Sequence, residues 1–216
     1  ATSMVLGGYA TGLLVESHEG RPTKVEGNPD HPASLGAAGV FEQASVLQLY
    51  DPHRARRARQ GTRDLSWEEF TSSVAPSKLR REVGERGAGL RVLLQPTASP
   101  LVAELLNQLH QLYPAAGVHL YAPLDSPHPA TAAGVAFGQP LQPVYDFGSA
   151  DVVLALDADF LSSMPFHLRY AHDFAQRRRI GGPADSMNRL YVVEPTFSPT
   201  GSIADHRLRT PAASIP

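Results

Sequence analysis

The sequence of 216 residues contains no cysteine. Disulfides, thiolate-bound clusters and a cysteine nucleophile are therefore excluded within this stretch, and any iron–sulfur cluster that works with it must be held elsewhere. Long apolar runs are also missing, because no stretch approaches the roughly 20 residues that a membrane-spanning helix needs. Any function of this stretch must therefore depend on its polar residues and on its backbone motifs.

The sequence also has no large excess of positive or negative charge. The 19 Lys and Arg residues are matched by 21 Asp and Glu residues, so the formal net charge is -2. Such a balance gives no general field that would recruit nucleic acid or an anionic membrane. A hydrophobic share of 42% and a charged share of 19% are typical of a globular protein with a buried core. We expect one large domain or two small ones, and no nucleic-acid partner.

Residues 1–63 are predicted to form a small β-containing lobe and a basic connection. Strand-forming residues at 11–17 and 23–26 flank a short turn sequence, which predicts a hairpin. The stretch 27–32 carries two prolines within a Gly/Asn/Asp cluster, so it must be irregular. The polar and basic stretch 51–63 is then interpreted as a surface connection.

Residues 64–216 alternate short apolar runs with helical patterns. The apolar runs lie at 90–94, 118–121, 152–156 and 190–193, with enough residues between them for crossover helices. This alternation of strand and helix patterns predicts an α/β region with a doubly wound, mostly parallel sheet. Because the chain opens without Met and stops at Pro216 inside a strand-and-turn pattern, we expect a piece of a longer protein, incomplete at its carboxyl end.

Two helices in this region have clear start signals. Ser66 and Glu69 form a capping box, and Pro76 is expected to break or kink the helix that follows. Ser99 as N-cap with Pro100 in the first turn predicts a second helix. Four leucines form a stripe along this second helix, and we expect them to cover a sheet: Leu101, Leu105, Leu109 and Leu112.

Asp157 and Asp159 are the strongest local candidates for chemistry. They follow the apolar run VVLAL, at the carboxyl end of a predicted strand, where open α/β sheets bind ligands. Two carboxylates there can hold a divalent cation, so a stand-alone metal-dependent transferase is one hypothesis. The tripeptide is short and common, however, and polar residues that end a strand are the simpler interpretation. No acidic cluster nearby in sequence completes a metal site.

The histidines and arginines do not add a site. His167 and His172 lie on a predicted helix at 165–178, but their spacing places them about 140° apart around it. The basic patches at 54–59 and 177–179 lack interleaved aromatic residues. They are interpreted as solvated faces or contacts with an acidic partner subunit. The sequence therefore assigns no catalytic, cofactor-binding or metal-binding residue.

Several segments, in this order along the chain, resemble motifs of the molybdopterin oxidoreductase superfamily. In that family a hairpin ends in a G-N-P-x-H-P-like turn, and a cysteine segment, an L-Y-x-P-x-R motif, a W-x-E-A helix, a D-P-R-like loop and an A-D stretch follow. The matching segments are VEGNPDHP at 25–32, LYDPHR at 49–54, WEE at 67–69, EPT at 194–196 and AD at 204–205. The resemblance covers nearly the whole chain and implies the same α/β fold.

Departures from the family pattern bear on function. LGAAG at 35–39 stands where the cluster-ligating cysteine would be, so an amino-terminal iron–sulfur cluster cannot be held in the usual way. Asp157 and Asp159 lie where the family places a small uncharged loop beside the nucleotide of the pterin, and carboxylates repel a pyrophosphate. Glu194 and Thr196 replace the Asp and Arg of the D-P-R loop, which removes a cation suited to phosphate. Together these departures predict a fold that has lost its cofactor.

Within the superfamily, this combination is most similar to the large iron–sulfur subunit of bacterial alternative complex III, a quinol oxidoreductase. The resemblance implies a non-catalytic domain in a respiratory or photosynthetic chain, with iron–sulfur clusters in another part of the polypeptide. It also implies a peripheral position on the periplasmic side of the cytoplasmic membrane, with an integral membrane quinol-binding subunit and cytochrome c subunits as partners. The alternative is part of a functional molybdopterin-dependent catalytic subunit, like polysulfide reductase or formate dehydrogenase.

Overall fold

A computed structural model describes residues 1–123, 128–139, 141–183 and 186–215. Pro216, where the predicted α/β region stops, lies outside them. The strands are β1 (Thr2–Leu6), β2 (Tyr9–His18), β3 (Arg21–Gly27), β4 (Ala58–Gln60), β5 (Arg63–Leu65), β6 (Arg91–Leu94), β7 (Gly117–Leu120), β8 (Val152–Leu156), β9 (Arg189–Glu194) and β10 (His206–Arg209). The α-helices are α1 (Val40–Tyr50), α2 (Trp67–Ser73), α3 (Pro76–Val83), α4 (Pro100–Leu112), α5 (His128–Phe137), α6 (His167–Gln176) and α7 (Pro199–Ser202), and a 3₁₀ turn spans Ala212–Ser214.

The chain divides into two compact units. One comprises residues 1–6, 10–46 and 126–216, and the other comprises residues 7–9 and 47–125. In the described part of the chain, no helix combines the length and the apolar character that crossing a membrane requires.

The predicted amino-terminal hairpin is present. Strands β2 and β3 pair antiparallel, with Val15 opposite Val25, and β1 adds a third strand beside β2. Glu19 and Gly20 have φ angles of 50° and 78°, and positive φ at both turn residues matches the twist of a two-residue hairpin. Leu13 and Val25 bury their side chains beneath the sheet. The hairpin thus ends at Gly27, where the irregular turn begins.

The unit that contains residues 47–125 holds a parallel pair of strands, β6 and β7. The start signals of its helices are confirmed: Ser66 and Glu69 close a capping box on α2, and the Ser99 hydroxyl accepts a hydrogen bond from the Val102 N–H. The predicted break also occurs, since α2 ends at Ser73 and α3 begins at Pro76.

The leucine stripe of α4 corrects one expectation. Leu101, Leu105 and Leu112 are exposed in the structure and do not cover a sheet within the described residues. An amphipathic pattern indicates which face of a helix avoids water, but it does not specify which element covers that face.

Strands β8, β9 and β10 form a parallel sheet in the order β10-β9-β8. Alternate residues of β8 and β9 point into a core that also contains aromatic residues from the loops and from α6. The rings of Phe147 and Phe160 stack with centroids 4.2 Å apart. The buried members of this core are Phe147, Val153, Ala155, Phe160, Tyr170, Phe174, Leu190 and Val192. The α/β class with parallel strands is therefore confirmed.

Candidate functional site

The loops that follow β8 and β9 meet at one edge of the parallel sheet, here called the carboxyl edge (residues 157–159 and 194–201). Leu156 pairs with Val193, and the Asp157 N–H extends this ladder by donating to the Val193 carbonyl at 2.8 Å. The carboxyl ends of parallel strands are where open α/β sheets bind ligands. The sequence candidates Asp157, Asp159, Glu194 and Thr196 all belong to this edge.

The Asp159 carboxylate accepts hydrogen bonds from another segment of the protein. Its Oδ1 accepts a hydrogen bond from the Thr200 N–H at 3.1 Å and another from the Thr200 hydroxyl at 2.6 Å. Thr200 is fully buried, and its hydroxyl oxygen accepts a bond from the Leu161 N–H at 3.2 Å. The carboxylate thus joins the loop after β8 to the start of α7, 41 residues further along the chain.

Glu194 is buried at the end of β9 and has its own set of partners. Its carboxylate accepts hydrogen bonds from the Ser198 N–H at 3.3 Å and the Ser198 hydroxyl at 2.5 Å. The Arg207 guanidinium pairs with it at 2.5 Å and lies over the Phe197 ring, 4.8 Å from the centroid. The charge of the Arg207 guanidinium is therefore already balanced by Glu194.

The backbone N–H groups at the start of α7 can be accounted for one by one. The Ser198 N–H donates to Glu194, Pro199 has no N–H, the Thr200 N–H donates to Asp159, and the Gly201 N–H donates to the Ser198 hydroxyl at 2.9 Å. Free N–H groups at a helix start are what bind phosphates in many nucleotide sites. Here side chains of the protein occupy all of them.

The nucleotide part of a pterin cofactor does not fit this edge. Its phosphates would find the N–H donors engaged and the Arg207 guanidinium paired with Glu194. The exposed Asp157 carboxylate, which has no partner among the described residues, would add repulsion of about 1 kcal/mol even in water. No step of catalysis through such a group is derived from these residues.

The cation hypothesis for Asp157 and Asp159 finds no further ligands. The described residues contain no cluster of three or more His, Cys, Asp or Glu side chains that could hold a metal ion. Asp157 adopts a left-handed backbone conformation with φ of 47°. Asp159 faces Thr200, as described above, so its role is that of a cap.

The opposite edge of the same sheet is held by Asp205, the acidic residue of the AD motif. Its carboxylate accepts a hydrogen bond from the Leu190 N–H at 2.7 Å and forms a two-point ion pair with Arg178. Arg178 also donates to the Asn188 side-chain oxygen at 3.0 Å and lies over the Phe174 ring. Asp205 therefore ties α6 to the starts of β9 and β10.

This arrangement corrects the interpretation of the basic patch at 177–179 as a solvated face or a partner contact for Arg177 and Arg178, whereas Arg179 is exposed. Arg178 is largely buried in the network around Asp205, and Arg177 pairs with Asp151. The partners lie 27 and 26 residues away in sequence, so the run of arginines alone gave no sign of them.

The pKa values of Glu194 and Asp205 are both lowered. Burial alone would raise the pKa of each carboxyl group, but hydrogen bonds from Ser198 and Arg207 outweigh it at Glu194, and bonds from Arg178 and Leu190 outweigh it at Asp205. A lowered folded pKa adds stability that is complete above the ordinary values of 4.5 and 3.8 and is lost as the pH falls through the folded values.

We therefore expect the free energy of unfolding to fall as the pH decreases below the ordinary values of 4.5 and 3.8, with part of the loss due to these two groups. Urea unfolding across this range measures the slope. The Glu194→Gln and Asp205→Asn variants, which carry no titrating carboxyl group there, should each show a shallower decline. A decline as steep as that of the unaltered chain in both variants would contradict the assignment.

The turn at 27–39 contains both the GNPDHP stretch at 27–32 and the LGAAG segment at 35–39. It is closed by its own backbone: the Asn28 carbonyl accepts bonds from the His31 and Gly36 N–H groups, each at 3.1 Å, and the Asn28 N–H donates to the Gly12 carbonyl at 2.9 Å. Leu35 and Gly36 both have positive φ, at 49° and 85°. The segment thus folds as a compact turn through bonds within its own backbone.

Glu42 is a buried carboxylate that sequence reasoning missed. It is the third residue of α1, is 1% exposed, and accepts a hydrogen bond from the Thr11 hydroxyl at 3.2 Å. A glutamate at this position of a helix is a capping signal, and Gly39 before the helix leaves room for it. The same position in α2 is held by Glu69, where the sequence did reveal the cap.

The two histidines of α6 have separate partners. His167 Nδ1 lies 3.2 Å from the Met164 carbonyl oxygen, and His172 Nδ1 lies 3.0 Å from the Asp173 carboxylate. The geometry agrees with the prediction that the two side chains point to different sides of the helix.

No known protein-family model matches the sequence. The chain is similar to the molybdopterin-binding-like subunit of menaquinone reductase from Nitratidesulfovibrio vulgaris (strain Hildenborough), with 26% identity over 199 residues. The alignment covers 90% of this chain and 28% of that protein, so the chain spans less than a third of the relative's length. This similarity supports the predicted relationship to the molybdopterin oxidoreductases.

Proposed function

We propose that this chain forms a structural, cofactor-less domain of molybdopterin-oxidoreductase type within a subunit of a quinone-linked oxidoreductase complex. The observation that carries the proposal is the state of the carboxyl edge. Each N–H group at the start of α7 donates a hydrogen bond to a side chain of the protein, and the Glu194 carboxylate forms an ion pair with Arg207. The edge where this fold would hold a nucleotide is instead closed by the protein's own carboxylates.

The similarity to a molybdopterin-binding-like subunit of a menaquinone reductase supports the quinone link. Within this class we propose the large iron–sulfur subunit of alternative complex III, on the motif pattern and the absence of cysteine. The clusters then belong to another part of the polypeptide. Electrons pass from an integral membrane quinol-binding subunit toward cytochrome c subunits, with this domain on the periplasmic side of the membrane.

An uncovered sheet face supports a place in an assembly. On β8, Val152, Leu154 and Leu156 point away from the core and are exposed, as is Leu208 on β10. Parallel sheets are normally covered on both faces, and apolar patches on the surface commonly mark contacts between proteins. The packing of the described residues thus leaves one sheet face suited to a contact with the rest of the complex.

Replacement of Leu154 by glutamate is expected to prevent assembly while leaving the chain folded. The residue is 60% exposed, so we expect the free energy of unfolding to change by less than about 1 kcal/mol. A charge in the middle of a covered apolar face should lower recovery of the complex at least about fivefold in affinity purification.

Val135→Glu on α5 provides the matched control, because Val135 is even more exposed and belongs to a helix instead of to this sheet. Recovery of the complex should be unchanged in that variant. Equal recovery from both variants would exclude the β8 face as an assembly surface.

The function is tested by purifying the native complex through a tag on this chain and following quinol oxidation. Oxidation of a menaquinol analogue with reduction of a c-type cytochrome would support alternative complex III. Quinone reduction without cytochrome c reduction would reject that assignment and keep the quinone-linked class. A complex that reacts with quinone in neither direction would overturn the proposal.

A further inference from the structure

Two adjoining grooves lie beside the start of α2, in the unit that contains residues 47–125. One has a volume of about 740 Å³ and the other about 560 Å³. Both are lined by Arg56, Arg57 and Asp64, and the larger one also by Trp67. We call these two grooves together the arginine groove. They do not involve the sheet edge to which the proposed function refers.

The guanidinium groups around the arginine groove differ in how they are engaged. Arg59 pairs with Asp64 at 2.7 Å, and Arg63 pairs with Glu69. Arg56 and Arg57 have neither a hydrogen bond nor an ion pair from their side chains within the described residues, and both are exposed. The groove therefore presents two cations whose charge is not balanced by a paired carboxylate.

Trp67 supplies an apolar wall next to these cations. The residue is 72% exposed, and its ring contacts Phe70 at a centroid distance of 5.3 Å. The capping box of α2 uses Ser66 and Glu69, so it does not require an aromatic residue at position 67. Exposed tryptophan and arginine side chains are the residue types most enriched among the strongest contacts of protein interfaces.

We propose that the arginine groove binds an acidic segment of a partner protein. The planar guanidinium groups of Arg56 and Arg57 match carboxylates in two-point geometry, while Trp67 packs against the stems of the bound residues. The groove is concave, which suits an extended peptide better than the flat surface of a bilayer. This inference stands apart from the proposed quinone-linked function and requires only a partner with clustered Asp or Glu.

Trp67 makes the test direct, because it is the only tryptophan in the chain. The full chain is titrated at low salt with a deca-glutamate peptide that contains no tryptophan, and intrinsic fluorescence and acrylamide quenching are followed. We expect a saturable change in emission and less quenching, both of which diminish as salt is added.

The Arg56→Gln/Arg57→Gln variant should weaken the apparent affinity at least about tenfold, with an unchanged melting temperature because neither side chain has a partner to lose among the described residues. The matched control is Arg80→Gln/Arg81→Gln, which removes the same charge from an adjacent pair on α3 in the same unit. Its affinity should stay within about twofold of that of the unaltered chain.

Equal weakening by the two double variants would mean that overall charge alone attracts the peptide and would overturn the proposal. No fluorescence response to deca-glutamate would also overturn it. A response confined to vesicles of phosphatidylcholine with phosphatidylglycerol would assign the groove to a lipid surface instead of a protein partner.

Discussion

Replacement of Gly27 by alanine is expected to lower the free energy of unfolding by about 3 kcal/mol. A Cβ at this position would overlap the carbonyl oxygen of Ala37 and the backbone of Gly36. These are main-chain atoms in a turn fixed by the bond from the Gly36 N–H to the Asn28 carbonyl at 3.1 Å. Because no side chain can rotate away, the end of β3 and the turn would have to separate.

Urea unfolding of Gly27→Ala and of Gly134→Ala tests this expectation. A Cβ on Gly134 would meet nothing within 4 Å, and the residue lies inside α5, so alanine there should stabilise the chain by up to about 1 kcal/mol. A loss below about 1 kcal/mol for Gly27→Ala would show that the turn is not packed against the strand as described. The expected loss would explain the glycine of the VEGNPDHP motif by packing rather than by cofactor binding.

Replacement of Asp205 by alanine should also cost about 3 kcal/mol. The variant loses the bond to the Leu190 N–H and leaves Arg178, whose side chain is only 21% exposed, without its carboxylate. Removing one partner of a part-buried ion pair is costly because the remaining charge stays partly desolvated and the Leu190 N–H loses its acceptor. The loss should appear as a lower urea midpoint, since the network joins α6 to two strands of the sheet.

The control is Asp151→Ala, which removes the partner of the neighbouring Arg177. The Asp151 side chain is 85% exposed, so this ion pair should contribute less than about 1 kcal/mol. Similar losses in the two alanine variants would contradict the view that Asp205 differs from Asp151 through burial and through its backbone bond.

Elements whose signals are local in sequence could be predicted. The run VVLAL predicted a strand at 152–156, and β8 has these bounds, because a short run of β-branched and large apolar residues is a local strand signal. The caps at Ser66 and Ser99 were also correct, since a cap is decided by residues within one turn of helix. The hairpin belongs to the same group, because its turn chemistry lies in two adjacent residues.

The candidate site could be located but not interpreted from sequence. Position after a parallel strand was enough to single out Asp157 and Asp159. The function of Asp159 depends on Thr200, and that of Asp205 on Arg178, and these pairs are separated by 41 and 27 residues. No local pattern encodes such pairs, so Asp159 looked like a possible ligand for a cation, and Asp205 was noted only as part of the AD motif.

The stripe on α4 shows a different limit. Amphipathicity correctly marked Leu101, Leu105 and Leu112 as one face of a helix, yet these side chains are exposed. The sequence shows that one face of the helix is apolar. It does not show which other element packs against that face. The exposed leucines of β8 illustrate the same limit for a sheet.

The proposed function requires that the domain has the fold of a molybdopterin oxidoreductase and does not bind its cofactor. The most direct measurement is elemental analysis of the intact native complex for molybdenum, tungsten and iron, combined with the fluorescence of any oxidised pterin that it releases. Iron without molybdenum, tungsten or pterin is the result that this account predicts. Pterin and molybdenum or tungsten in stoichiometric amounts would contradict it and would favour a functional molybdopterin-dependent enzyme.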